Sequence, residues 1–279
     1  MQVIVFGLSG KMKLLDLSRV EVPYGTAWKW QQSLLDLHMN LQDGVSSDSD
    51  GIVGHLLIMQ HKSVYTLGSQ TQDDWLHKTN KHWNLEYETF HVERGGQATY
   101  HGPGQLVMYP IMDLNYFERD INLYLRGLED IVIHTVKDFG VNACRQEGLT
   151  GVWVGDKKIS AIGIKLRRWV TMHGLSLNVN PDIRYFDNII PCGITDKAVG
   201  RLVDFNSSAN IVNTANGLLS KFQQEFDVEY THDFPFDFQA EKEDIVQNYG
   251  INTGSKDDYQ ECCVRYLDNL VAEQNKKRL

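Results

Sequence analysis

The sequence predicts an α+β fold. Three observations carry that reading: apolar stretches of strand length and amphipathic stretches of helix length share the chain, they do not alternate strictly, and no internal repeat runs through it. Residues 24–38 read as the first helix, because Ala27, Trp30, Leu34 and Leu35 fall on one stripe at helical spacing. The stretch from Gly44 to Gly51 sets Ser46, Ser47 and Ser49 between aspartates and reads as a loop. Residues 56–59 and 64–67 read as strands, the second closed by Gly68. Asp120 caps a predicted helix that runs to about Phe139, turns Ile121, Leu125, Leu128, Ile131 and Val132 inward, and stops at Gly140. Three short β-rich pieces follow at 152–154, 159–164 and 169–172, the first two joined by a Gly155-Asp156 hairpin turn. Ser207 or Ser208 then opens a helix that buries Val212, Ala215, Leu218, Leu219 and Phe222. From about Tyr230 the chain turns acidic and loop-like before a last amphipathic helix near 257–276, which groups Cys263, Tyr266, Leu267, Leu270 and Val271.

A chain of 279 residues can bury one large core or two small ones. Its net charge of −9 disfavours nucleic acid as a partner, since phosphate binding needs a basic field. Charge is uneven, however: between Lys157 and Arg201 eight Lys/Arg stand against three Asp, an island that suits either an acidic partner or a solvated face. Cys144, Cys192, Cys262 and Cys263 form no disulfide framework and point to a reducing compartment. No Cys-x-x-Cys or His-x-x-x-His spacing supports a metal site, and no apolar run approaches the ~20 residues that span a bilayer. Residues 1–13 carry Lys11 and Lys13 with no acid before Asp16, and are read as a candidate targeting segment.

The densest signal is Arg94-Gly95-Gly96-Gln97-Ala98-Thr99-Tyr100-His101-Gly102-Pro103-Gly104-Gln105. So many glycines cost backbone entropy, which is recovered where backbone approaches backbone or a ligand closely. The run leads into the apolar segment 106–112, so a loop entering a strand here can line a pocket for an acyl or nucleotide group; a plain tight turn is the alternative. Two further segments carry chemistry: Lys158 to Ile164 with its continuation to Asn178, and Ile189-Ile190-Pro191-Cys192-Gly193-Ile194. A lone cysteine is usually a small buried hydrophobe, yet Cys192 lies between Pro and Gly, where a turn exposes sulfur and amides. A thiol titrates near ~8.5, and a neighbouring lysine ammonium favours its thiolate, so Cys192 with Lys158 forms a candidate nucleophile and acid/base pair.

These blocks resemble the octanoyltransferases, or lipoyl(octanoyl) transferases, of protein lipoylation. The resemblance rests on Arg-Gly-Gly-x-x-Thr-x-His-Gly-Pro-Gly-Gln at 94–105, Lys-Ile-x-Ala-Ile-Gly at 158–163, Thr-x-His-Gly at 171–174, Pro-Cys-Gly-Ile at 191–194, and the segment 61–68. It covers about residues 14–227, taken as the catalytic domain, and leaves 228–279 as an acidic extension. It implies the fold of biotin and lipoate protein ligases, a mixed, largely antiparallel sheet with flanking helices. It implies Cys192 as the acyl-thioester nucleophile and Lys158 as the residue that lowers its pKa. It places Arg94, Gly95, Gly96, Gln97, Ala98, Thr99, Tyr100 and His101, then Ala161, Ile162 and Gly163, then Gly174, Leu175 and Ser176 on the acyl pocket. Ser176 stands where alanine is common.

The implied reaction moves octanoyl, or lipoyl, from acyl carrier protein to a lysine of lipoyl domains of 2-oxoacid dehydrogenase complexes or of the glycine cleavage H protein. It needs no cofactor and no metal, and the enzyme is expected to act as a monomer, away from membranes. Mitochondria are the expected location, with a bacterial cytoplasm as the alternative. An ATP-dependent lipoate–protein ligase, which needs no cysteine, and an inactive acyl-binding module are the rival readings; a thiol protease is a weaker third.

Overall fold

The computed structural model describes residues 10–44, 51–71, 88–189 and 198–231. Cys192, the segment 45–50 and the helix expected near 257–276 lie outside the described residues. The elements that position the site are the strands β1 (Gly10–Val22), β2 (Ile52–His61), β3 (Val64–Leu67), β4 (Glu88–His91), β5 (Ala98–His101) and β6 (Gln105–Met112). After them come β7 (Cys144–Gln146), β8 (Leu149–Val154), β9 (Lys157–Arg167), β10 (Val170–Asn178), β11 (Ala198–Val199) and β12 (Val228–Thr231). Three α-helices join them: α1 (Tyr24–Gln42), α2 (Ile121–Lys137) and α3 (Ile211–Phe226).

The larger sheet runs β12-β1-β2-β6-β10-β9-β8-β7, with β11 added beside β9. It is mixed: β1 pairs in parallel with both β12 and β2, whereas every join from β2 through β6, β10, β9 and β8 to β7 is antiparallel. A smaller sheet, β4-β3-β5, holds the glycine-rich run. The sheet takes in residues on both sides of 14–227, since Gly10 to Lys13 pair with Val228 to Thr231.

Strand alternation explains why helices cover both faces. Along β2, Leu56 and Ile58 enter one core while Leu57 and Met59 enter the other; along β6, Leu106 and Met108 oppose Val107 and Tyr109 in the same way. Leu128, Ile131, Val132 and Val136 of α2 and Leu218 and Phe222 of α3 seal the first core. Ala27, Trp30 and Leu35 of α1 seal the second, with Leu34 partly buried against it. Both β2 and β6 are therefore buried along their whole length.

Local chemistry sets the helix ends. Asp120 caps α2 by accepting from the amides of Asn122 and Leu123, but Ile121 is 39% exposed at the first turn, and Tyr124 takes the inward place instead. The third helix starts later than the serines predict. Asn206 accepts from the amide and hydroxyl of Ser208 in a local turn, and Asn210 caps α3 by accepting from the amide of Asn213 at 3.0 Å.

Candidate active site

Two of the sequence segments meet as neighbouring strands in register. Gly163 lies opposite Gly174, Ile162 opposite Leu175, and Ala161 opposite Ser176. The glycine-rich loop settles onto them, with the Gly95 amide donating to the Ile164 carbonyl at 2.9 Å. A side chain at Gly163 would meet the Gly95 carbonyl at 2.9 Å, so glycine is required where loop and strand touch. Arg94, which is buried, ties the loop to β3: Nη2 donates to the Thr66 carbonyl at 2.9 Å and to its hydroxyl at 2.8 Å.

Between these strands and the loop lies a cleft whose open space, solvent at its mouth included, is about 470 Å³. Arg94, Gly95, Gly96, Gln97, Thr99, His101, Ala161, Ile162, Gly163, Gly174, Leu175 and Ser176 line it. Ala98 and Tyr100 do not. Alternation along β5 turns them to the opposite side, where they pack with Tyr65, Phe186 and Ile189, and the Tyr100 ring stacks on Tyr185 at 4.9 Å.

The back of the cleft comes from residues that the sequence reading did not select: Tyr24 of α1, Tyr109 of β6 and His173 of β10. A break between β6 and β10 brings His173 there. Pro110 has no N–H to donate, and the Thr171 hydroxyl instead donates to the Pro110 carbonyl at 2.8 Å and accepts from the Met112 amide at 2.9 Å. At the break His173 takes φ +61°, a conformation costly for a side chain with a Cβ, and its amide donates to Gln31 Oε1. Gly174 passes so close to β6 that a Cβ would overlap the Met108 carbonyl oxygen.

The imidazoles around the cleft are held neutral. His61 donates Nδ1–H to the Val22 carbonyl, leaving Nε2 to accept from the Tyr109 hydroxyl at 2.7 Å. Burial brings His61 down to about 4. His101 donates Nδ1–H to Gln105 Oε1, and burial, then the nearby His61, bring it down to about 3. Burial also lowers His173, whose Nε2 stands 3.8 Å from Glu93. That imidazole, followed by Lys165 at 2.8 Å, holds the Glu93 carboxyl well below the usual carboxylate range.

A second, smaller cleft of about 290 Å³, open solvent included, adjoins the first and shares Thr99, Ala161 and Ser176 with it. Lys158 lines this end, together with Gln105, Ser160, Asn178, Phe186 and Val199. The register of β8 slips between Val152, opposite Ser160, and Trp153, opposite Lys158; such a bulge re-aims a side chain, and the Lys158 Nζ sits 5.3 Å from the centre of the Trp153 ring. Gly151, at φ +125°, leaves the room that the Lys158 stem occupies. The described residues that flank the Cys192 segment both reach this region: Ile189 packs with Tyr65 and Tyr100, and Val199 pairs with Lys158.

The basic island is less basic than its sequence count. Lys165 pairs with Glu93, Arg168 with Asp43 through two bonds of 2.7 and 2.9 Å, Arg184 with Asp182, and Arg201 with Asp204. Three of those carboxylates, Asp43, Glu93 and Asp204, come from outside the island.

A cleft between a glycine-rich loop and two paired strands, with a lysine in the cleft beside it, on a mixed sheet flanked by helices, defines the class. Residues 23–223 match the lipoyl protein ligase A/B catalytic domain, and the chain belongs to that family. Within it, the chain is similar to octanoyltransferases. It is 46% identical over 191 residues to a chloroplastic octanoyltransferase of Arabidopsis thaliana, covering 68% of this chain and 66% of that protein. It is 41% identical over 211 residues to the octanoyltransferase of Gloeobacter violaceus, covering 75% and 88%. Solved structures share the fold: a lipoate-protein ligase A bound with ATP (TM-score 0.59, 16% identity, 81% of this chain and 89% of that one). The bipartite lipoate protein ligase of Thermoplasma acidophilum is another (TM-score 0.59, 18% identity, 81% and 87%). Among the described residues no helix is long and apolar enough to cross a membrane.

Proposed function

We propose that the chain transfers octanoyl, or lipoyl, from acyl carrier protein to a lysine of a lipoyl-domain acceptor through a thioester on Cys192. Octanoyl transfer in protein lipoylation is its activity; the residues and the route are the proposal. The observation that carries them is that the glycine-lined cleft and the cleft at Lys158 adjoin and share Thr99, Ala161 and Ser176.

In the first half-reaction the Cys192 thiolate attacks the octanoyl carbonyl carbon, and the carrier's thiolate departs with a proton from the Lys158 ammonium. In the second, the acceptor's amine attacks the enzyme thioester. The Cys192 thiolate leaves, and neutral Lys158 takes the amine's proton, which restores the starting state. The exchange of thioesters is nearly even in energy and amide formation is downhill, so the route requires no nucleotide.

Residues 14–227, with the paired strand ends 10–13 and 228–231, form the catalytic domain in this reading, which acts as a monomer on octanoyl-acyl carrier protein. Its acceptors are the lipoyl domains of 2-oxoacid dehydrogenase complexes and the glycine cleavage H protein. In this reading the enzyme acts in mitochondria. Residues 1–13 are its candidate targeting segment, and a reporter fused to residues 1–25 that stays cytosolic would refute it. The catalytic pair is tested on Lys158→Ala. Alkylation of Cys192 at neutral pH should slow and its pH profile move upward; an unchanged profile would remove Lys158 from the role.

A further inference from the structure

The back wall of the cleft holds a side chain that ordinary strand geometry would put elsewhere. Along β10, Leu175 and Leu177 enter the core that α2 and α3 seal, while Val170 and Met172 enter the core that α1 seals. Regular alternation would send His173 to the side of Leu175 and Leu177. Its left-handed backbone, at φ +61°, sends it to the other side. There its amide meets Gln31 of α1, and its ring stands edge-on to Tyr109 at 6.5 Å. Holding a residue with a Cβ in that region costs ~1–3 kcal/mol, a strain that persists where the conformation serves a site.

Ahead of that ring the cleft is open; behind it the way is closed. Gly163 and Gly174 lie opposite each other in neighbouring strands and put no side chain into the cleft. One residue further along β9, the Ile164 carbonyl accepts from the Gly95 amide at 2.9 Å, so the loop meets the sheet there. Neither Ile164 nor Lys165 lines the cleft, and His173 is the residue opposite Ile164. Beyond the His173 Nε2, at 3.8 Å, stands Glu93, held by Lys165 at 2.8 Å and by the Trp28 indole N–H at 3.2 Å. The wall is thus braced from α1, from β9 and from the residue before Arg94. At ~3.3 Å per residue, Lys158 to Gly163 spans at most roughly 16 Å of β9. That leaves room for a medium-length acyl chain and too little for a long one.

We infer that the His173 imidazole is the stop that sets the length of acyl chain the enzyme accepts. This rests on the acyl-transfer reading above, which puts the reacting carbonyl at Lys158 and so the far end of the tail against the back wall. It deepens that reading by assigning the residue that selects an eight-carbon chain over longer ones. A methylene that a pocket cannot house is worth about tenfold or more in discrimination.

The test measures kcat/KM for hexanoyl-, octanoyl- and decanoyl-carrier protein with wild type, His173→Gly and His173→Asn. Glycine takes a positive φ without strain and keeps the amide that bonds Gln31, and asparagine tolerates that backbone with a shorter side chain. His173→Gly should raise the decanoyl-to-octanoyl ratio fivefold or more and leave the hexanoyl-to-octanoyl ratio within twofold of wild type, with His173→Asn between the two proteins. A smaller rise, including a uniform fall for all three chains, overturns the inference and makes His173 structural. A hexanoyl-to-octanoyl ratio shifted by more than twofold also overturns it, because the cleft as a whole would then have been reshaped. If His173→Gly does not fold, His173→Asn decides by the same limits, with a threefold rise required. A wild type that transfers decanoyl as well as octanoyl would overturn the inference and leave the acyl-transfer reading standing. A wild type that transfers none of the three would overturn that reading, and the inference with it.

Discussion

Acidification should unlock the base of the acyl cleft well before it titrates the carboxylates. His61 and His101 are both buried, and their folded values of about 4 and about 3 lie below the ~6.5 of an unfolded histidine. The unfolded chain therefore binds protons first. Stability from these groups is complete above pH ~6.5 and drains as the pH falls toward their folded values. By pH 5 each imidazole removes ~2 kcal/mol relative to pH 7.5, and His55, held well below its ordinary value by burial and by His38, adds in the same direction. Urea unfolding at pH 7.5, 6.5, 5.5 and 5 measures the loss. The variant His101→Gln keeps a donor for Gln105 but cannot titrate, so its loss between pH 7.5 and 5 should be ~2 kcal/mol smaller than that of wild type. Equal losses in the two proteins, or a wild type that is more stable at pH 5, would refute the argument.

Other perturbations probe the cleft and its approach. Gly163→Ala drives a methyl group against the Gly95 carbonyl, at 2.9 Å, and should raise KM for short octanoyl thioesters severalfold while leaving the Cys192 alkylation rate alone; an unchanged KM would separate the loop from the acyl pocket. Arg167→Glu should weaken the reaction with octanoyl-carrier protein, and do so less at high salt, with little effect on a small octanoyl thioester. Arg168 is a poor choice for that test, because Arg168→Glu would place two carboxylates together at Asp43. Equal effects of Arg167→Glu on both substrates would make Arg167 part of the fold instead of a docking surface.

What the sequence disclosed follows from how local each signal is. The helical stripe of Ala27, Trp30 and Leu35 and the Gly155-Asp156 hairpin are set by spacing and turn chemistry alone, and the structure has both. Glycine density marked the loop at 94–97 because close backbone approach leaves a compositional trace. Tyr24 and Tyr109 left no such trace at the cleft, and His173, although it lies in the Thr-x-His-Gly block, was not marked as part of it. Tyr109 looks like any aromatic in an apolar strand, and Tyr24 reaches the cleft only because α1 packs across the sheet. The left-handed backbone of His173 depends on the Pro110 break in a strand 63 residues earlier. Ala98 and Tyr100 show the reverse case, since a contiguous motif includes both faces of β5 although only one faces the cleft. Charge counting along 157–201 likewise missed Asp43 and Glu93, which neutralise Arg168 and Lys165 from distant segments.

The most direct test of the account is to trap the acyl-enzyme. Wild-type chain mixed with octanoyl-carrier protein in the absence of acceptor should gain the mass of one octanoyl group, mapped by peptide mass spectrometry to Cys192 and released when a lipoyl-domain acceptor is added. Cys192→Ser should neither form that adduct nor transfer at the wild-type rate. An adduct on Cys144, Cys262 or Cys263, or full transfer by Cys192→Ser, would contradict the central claim.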